Sequence, residues 1–157
     1  MNMLIFRLGG SGVATDKWDS LLSQNKLVWG FGNDDFHFWC DLGRSFNYIC
    51  SQSNDYISVK KAIDCGSFYV SSGLTLDEFK FDGKTLKIRA CTPRSYISTF
   101  QYRFLGKNGR ILKENFGECA EYTVTDDDTY IRVEAYGEQG FTLFTQPIYK
   151  KGVFERP

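Results

Sequence analysis

Neither sign of charge predominates in this chain: 19 Lys and Arg face 19 Asp and Glu, a formal net charge of zero. The balance holds along the chain, with six basic and seven acidic side chains in residues 1–73 and thirteen and twelve in residues 74–157. A nucleic-acid binder held by counterion release needs a basic surplus, and so does a polybasic membrane anchor. No apolar run approaches the roughly 18 residues of a membrane span. The opening stretch, Met1 to Arg7, lacks the basic region and long apolar core of a signal peptide. The expectation is a cytoplasmic protein with no nucleic acid and no membrane among its partners. The five cysteines, Cys40, Cys50, Cys65, Cys91 and Cys119, contain no CxxC pair and no metal-ligand spacing. They read as buried free thiols in a reducing compartment. Histidine is nearly absent, His37 being the only one.

What is present points to a folded, β-rich chain. Of 157 residues, 42% are hydrophobic and 24% charged, the balance of a globular protein rather than a disordered one. A chain of this length buries on the order of 70% of its unfolded surface and needs no staples. The 14 Phe, 9 Tyr and 3 Trp are a high aromatic share, which favours strands over helices.

Met3 to Leu8 is a short apolar run that reads as a strand, ending at the glycine loop Gly9-Gly10-Ser11-Gly12. That loop lacks the spacing of a phosphate-binding motif and reads as a plain connection. A helix is expected to open at Thr15-Asp16, with Thr15 or Asp16 as the cap. Trp18, Leu21 and Leu22 would form its apolar face. Lys26 to Phe31 reads as a buried strand, and Ser45 to Ser51 as another. Ser58 is the expected cap of a short helix that carries Val59, Ala62 and Ile63 and stops at Gly66.

The pattern changes after Gly73. Leu74–Asp82 and Lys84–Cys91 alternate on either side of Asp82-Gly83, a type I′ hairpin signal. Tyr96–Leu105 and Arg110–Phe116 flank Lys107-Asn108-Gly109. Cys119–Thr125, Tyr130–Tyr136 and Phe141–Tyr149 follow. Seven strands at regular spacing suggest an antiparallel sandwich.

The chemistry concentrates at Asp34, Asp35 and His37. A strand ending in Asp-x-His places both side chains on one side, and a carboxylate beside an imidazole suits Zn, Mn or Fe. Arg44 can meet a phosphate or simply make a surface ion pair. Asp126-Asp127-Asp128 lacks the glycine and terminal Glu of a calcium loop and reads as a solvated turn. Cys40 has no evident activating base and reads as an incidental thiol. The aromatics Phe79, Phe81, Tyr102, Phe104, Phe141 and Phe144 sit at strand spacing and read as core rather than as a sugar-binding face.

The segments Trp18–Ser23, Val28–His37, Asp41–Arg44 and Ala62–Gly73 together resemble the end of a PHP (polymerase and histidinol phosphatase) domain. The resemblance implies a distorted (β/α)₇ barrel with up to three metal ions, in a family of metal-dependent phosphoesterases. It implies that Asp35 and His37 match the last metal motif, Asp-x-His, and that Asp34 has no assigned role. Many bacterial members carry a β-rich tail, and residues 74–157 are similar to one, with Tyr130–Ala135 and Thr145–Ile148 as closing strands. The earlier metal motifs, beginning with His-x-His, would lie upstream of Met1. One imidazole and a few carboxylates do not complete a multinuclear site, because each catalytic metal needs about three protein ligands.

The sequence therefore leads to an α+β expectation. Residues 1–73 would be a partial (β/α) barrel remnant, the C-terminal fragment of a PHP-type barrel. Residues 74–157 would be an antiparallel β-sandwich tail. The expected function is the C-terminal portion of a phosphoesterase, inactive alone. Asp35 and His37 would be metal ligands and Arg44 a substrate contact. A divalent metal (Zn, Mn or Fe) belongs to the complete family site, with none necessarily held by this chain alone. Apolar surface left uncovered by a partial barrel predicts self-association or docking of the missing N-terminal barrel half. The alternative is a non-catalytic β-sandwich binding or scaffolding module. An in-frame His-x-His in the coding region upstream separates the two.

Overall fold

The computed structural model describes residues 1–92, 99–150 and 152–154. The apolar run at the start is a short helix, α1 (Met3–Arg7), where a strand was expected. Periodicity cannot separate strand from helix in so short a run. Here Asn2 Oδ1 accepts the Ile5 N–H at 3.2 Å, which caps the turn, and Gly9 at φ +80° ends it. Helix α2 (Thr15–Ser23) forms where the sequence placed it, but no side chain caps it.

Lys26 to Phe31 is not a strand among the described residues. Two distant carboxamides take the place of a strand ladder. Gln146 Oε1 accepts from Gly30 N–H at 2.9 Å, and its Nε2 donates to Gly30 O at 2.7 Å. Asn47 does the same for Gly32, at 3.0 and 2.7 Å. Glycine is required at both points. A Cβ on Gly30 would lie 2.8 Å from the Trp18 ring, and one on Gly32 would lie 2.2 Å from Val70 Cγ1.

Strand β1 (Phe46–Ile49) is followed by α3 (Tyr56–Asp64). The cap of α3 is Asp55, which accepts from the Ser58 N–H at 2.9 Å. Ser58, the expected cap, instead donates its hydroxyl to Asp55. Gly66 at φ +72° stops the helix as expected. Strands β2 (Phe68–Ser71), β3 (Thr75–Phe81), β4 (Thr85–Cys91), β5 (Phe100–Leu105) and β6 (Ile111–Gly117) come next. They are followed by β7 (Ala120–Thr123), β8 (Tyr130–Tyr136), β9 (Thr142–Thr145) and β10 (Ile148–Tyr149). Residues 96–98 of the strand expected from Tyr96 lie outside the described residues.

The chain is β-rich, and every named strand pair is antiparallel. A seven-stranded sheet runs β1-β2-β9-β8-β5-β6, with β10 also on β8, and a three-stranded sheet runs β3-β4-β7. Strand pairing crosses residue 73, because β2 pairs with β9 through Val70 and Phe144. The expected turn at Asn108-Gly109 is present, with both residues at positive φ (60° and 68°) as a I′ turn requires. At Asp82-Gly83 the hairpin forms, but only Gly83 has positive φ. The Asp82 carboxylate accepts from the N–H groups of Lys84 and Thr85 instead.

Leu86, Ile88 and Ala90 of β4 face Phe100, Tyr102 and Phe104 of β5 and Ile131, Val133 and Ala135 of β8 across the core. The other face of β8 is buried too, since Tyr130 to Ala135 are all inaccessible. Leu22, Leu27 and Trp18 from the α2 region cover Tyr130 there. Tyr130 and Arg132 of β8 therefore meet α2, and the odd residues fill the sandwich. The five cysteines, expected to be buried, are free and all exposed.

Candidate functional site

The residues singled out in the sequence meet in one loop, between Gly32 and Ser45, which is irregular rather than the end of a strand. Two of its carboxylates serve the backbone. Asp34 accepts from the N–H groups of Gly43 (2.7 Å), Arg44 (2.6 Å) and Ser45 (2.7 Å), which closes the loop on itself. Asp41, buried, takes Arg7 Nε at 2.6 Å and Nη2 at 3.2 Å, together with the His37 and Phe38 N–H groups. The Arg7 hydrogen bond, helped by those N–H groups and opposed by burial, holds the Asp41 carboxyl at about 2 rather than 3.8. Arg44 donates Nε to Cys40 O at 2.9 Å.

Asp35 and His37 are left facing solvent. Asp35 sits at φ +51°, in the left-handed region that Asp tolerates better than most residues. Its Oδ2 accepts from Asn2 Nδ2 at 3.0 Å. His37 Nδ1 lies 2.7 Å from the Asp35 carbonyl oxygen. A carbonyl only accepts, so Nδ1 is the donor here, and in the neutral ring Nε2 keeps its lone pair. The same Nδ1 is 3.8 Å from Asp35 Oδ1. An imidazole whose Nδ1–H is fixed by a carbonyl while Nε2 stays open is the arrangement common in metal-ligating histidines. Among the described residues no group of three or more His, Cys, Asp or Glu side chains is placed to hold a metal ion. With Asp34 and Asp41 spent on backbone N–H groups, the donors present do not fit a complete site, and least of all the multi-ion cluster implied by the resemblance.

The linkage at Asp41 gives a testable pH dependence. A carboxyl whose folded pKa is depressed contributes stability above its unfolded value and loses it as pH falls through the folded one. Stability should therefore decline between about pH 4 and 2. Asp55, held at about 2 by Ser53 and Ser58, titrates in the same window, so the comparison is with Asp41→Asn. Urea melts from pH 7 to 2 should show a shallower acid decline in that variant. An equally steep decline would show that Asp41 is not a source of it.

Sequence reasoning passed over a second constellation. Arg132, 1% exposed, lies between two buried carboxylates, Asp19 (4%) and Glu134 (5%). Its Nε and Nη2 meet Asp19 at 2.8 and 2.6 Å, and its Nη1 meets Glu134 at 2.6 Å. Tyr130 donates to Asp19 at 3.0 Å and Tyr136 donates to Glu134. Burial lowers the Arg132 guanidinium, but the two carboxylates outweigh it and raise it on balance. Asp19, Arg132, Glu134 and Tyr136 line an open cavity of about 790 Å³ together with Arg103, Asp16, Thr142 and Phe144. The signal for them was the alternation of Tyr130, Arg132, Glu134 and Tyr136 along one face of β8. Asp19 carried none, since it lies off the apolar face of Trp18, Leu21 and Leu22 expected of that helix.

Asp128 accepts from the Thr125 N–H and the Tyr122 hydroxyl in a turn. Tyr102, Phe104 and Phe144 are buried, as expected of core aromatics, whereas Phe81 is exposed. No helix among the described residues is long and apolar enough to cross a membrane. The chain matches no protein-family model, no curated protein and no solved structure.

Proposed function

We propose that this chain is the C-terminal portion of a PHP-like, metal-dependent phosphoesterase of the cytoplasm, inactive alone. In this reading Asp35 and His37 are a partial ligand pair, and residues 1–73 are the closing part of a (β/α) barrel. The observation that carries it is the division of labour in the loop. Asp34 and Asp41 are consumed by backbone N–H groups, while Asp35 and the open His37 Nε2 face outward. The single parallel bridge among the described residues, Asn2 with Asn33, borders the same loop. In the complete family site a divalent ion (Zn, Mn or Fe) supplies Lewis acidity and activated water. Its other donors would come from outside these 157 residues. In this reading Arg44, at the exposed edge of the loop, would meet a phosphoryl oxygen.

Because His37 is the only histidine, its two carbon-bound ring protons are an unambiguous NMR probe. Added Mn²⁺ should broaden them selectively, and Asp35→Asn should weaken that effect. Phosphate release from p-nitrophenyl phosphate with Mn²⁺, Zn²⁺ or Mg²⁺ should stay at background. Unbroadened His37 resonances would overturn the ligand-pair reading. Robust turnover that disappears in an Asp35→Ala, His37→Ala double variant would show a complete site and overturn the inactivity.

A further inference from the structure

Two cavities lie between α2 and the large sheet, and Met1, Val13, Thr15 and Phe144 line both, so they adjoin. The larger, about 790 Å³, has Asp19, Arg132 and Glu134 in its wall. The smaller, about 240 Å³, is apolar: Trp18, Leu21, Val28, Trp29 and Val70 line it, and no ionisable side chain does. Its indole N–H groups are used elsewhere, Trp18 Nε1 donating to Val28 O at 2.7 Å and Trp29 Nε1 to Asp64 O at 3.3 Å. The N–H and C=O of Gly30 are taken by Gln146. Arg132 lies 5.1 Å over the Trp18 ring, so the charged wall and the apolar space share one indole. An apolar cavity of about 150 Å³ takes benzene, and the smaller cavity has room for a phenyl group.

The larger cavity favours positive charge. Three carboxylates, Asp16, Asp19 and Glu134, line it with two guanidiniums, Arg103 and Arg132. Arg103 is already paired outside it, its Nε 2.7 Å from Glu114. The Met1 ammonium donates to Phe31 O at 2.7 Å. Three negative charges thus stand against Arg132 and that ammonium, a surplus of one. Glu134 takes Arg132 Nη1 on one oxygen and the Tyr136 hydroxyl on the other. A carboxylate offers about four lone-pair sites, so each oxygen has one left for a further donor. The Tyr136 and Phe144 rings meet edge-on at 6.4 Å in the same wall, and aromatic faces attract cations. Stability does not account for the place of the triad, since apolar groups often replace a buried ion triad at no net cost. Among the described residues no group of side chains is placed to hold a metal ion, which leaves an organic cation. We propose that the paired cavities bind a small amphiphilic primary amine, its aryl group among Trp18, Trp29 and Val70 and its ammonium against Glu134. This site lies apart from the Asp35–His37 loop and does not rest on the reading of that loop.

The test uses the full chain carrying Trp39→Phe, in which Trp18 and Trp29 are the remaining indoles and both line the apolar cavity. Phenethylamine is titrated against their fluorescence at about pH 7, where the amine is protonated. 2-Phenylethanol and 3-phenylpropionate serve as neutral and anionic probes of similar shape. The amine should saturate below about 10 mM. The alcohol and the acid should bind at least about tenfold more weakly, the worth of one hydrogen bond to a charged group. Glu134→Gln should weaken the amine about tenfold and leave the alcohol unchanged, a split that a general loosening of the fold does not give. Val13→Phe, at the border of the two cavities, should weaken amine and alcohol alike. The comparison of the three probes on the otherwise unchanged chain stands even where Glu134→Gln fails to fold. Equal binding of all three, or tightest binding of the acid, would overturn the cationic head. Absence of saturation by any probe up to about 10 mM would overturn the site. A folded Glu134→Gln protein that keeps the full preference for the amine would overturn the role of Glu134.

Discussion

Replacing Arg132 with methionine should destabilise the fold by about 3–5 kcal/mol, because it leaves buried charge without its partner. The guanidinium joins α2 to β8, two elements 113 residues apart in the chain. Without it the carboxylates of Asp19 and Glu134 remain inside with only tyrosine hydroxyls as donors. Arg132 also lies 5.1 Å over the Trp18 ring, so the same change loosens the contact between α2 and the sheet. A triple variant, Asp19→Leu with Arg132→Met and Glu134→Leu, should recover most of the loss, since apolar groups of similar volume often replace a buried ion triad at no net cost. Urea denaturation of both variants separates the cost of a broken pair from the value of the intact one. A single variant within 1 kcal/mol of wild type would mean that water reaches the network.

The strand pattern of residues 74–150 was legible because it is local. Alternation fixes which side chains share a face, and Asn108-Gly109 reports its own turn. The N-terminal part was not, for a physical reason visible at Gly30. That segment satisfies its backbone through Gln146, 116 residues away, and through Asn47. No nearby pattern can announce a ladder made of two side-chain amides. Met3–Arg7 failed differently, since five residues of apolar chain carry no period.

The same contrast holds at the site. The nearness of Asp35 and His37, with His37 Nδ1 3.8 Å from Asp35 Oδ1, follows from their spacing in sequence. The roles of their neighbours were not: Asp34 and Asp41 look like further ligands in sequence, but each closes on backbone N–H groups. Arg7, which holds Asp41, comes from the segment read as a strand, and Asn2, which holds Asp35, stands just before it. The buried triad had the opposite fate. Its three members look like surface charges on an amphipathic helix and a half-exposed strand, and only the covering of the second face of β8 makes them interior.

Tyr102→Phe should cost about 1–3 kcal/mol, the range for leaving a buried polar group unpaired, although it removes a single oxygen. The β4–β7 ladder pairs Thr85 with Thr123 through to Ile88 with Ala120 and then ends. Continued by two residues, it would bring Ala90 opposite Glu118. The Tyr102 hydroxyl occupies that position, accepting from the Ala90 N–H at 2.9 Å and donating to Glu118 O at 2.8 Å. A side chain of the large sheet thereby completes the hydrogen bonding of the small one, across the core. The ring is fully buried, so phenylalanine keeps the packing and strips only this bridge. Burial pushes the phenol up to about 12 from 10, against the pull of the Ala90 N–H, so it remains a neutral donor throughout the physiological range. A raised acid pKa contributes stability below the unfolded value and loses it as pH climbs through the folded one. Wild type should therefore weaken between about pH 10 and 12. Tyr130, also held near 12, adds to that decline, so the measured quantity is the difference between wild type and Tyr102→Phe. The variant should be less stable at pH 7 and show a smaller alkaline loss, and its Ala90 amide should exchange with deuterium faster. Unchanged exchange at Ala90 with stability within 0.5 kcal/mol of wild type would show that the two strands pair directly and that the hydroxyl is not the link.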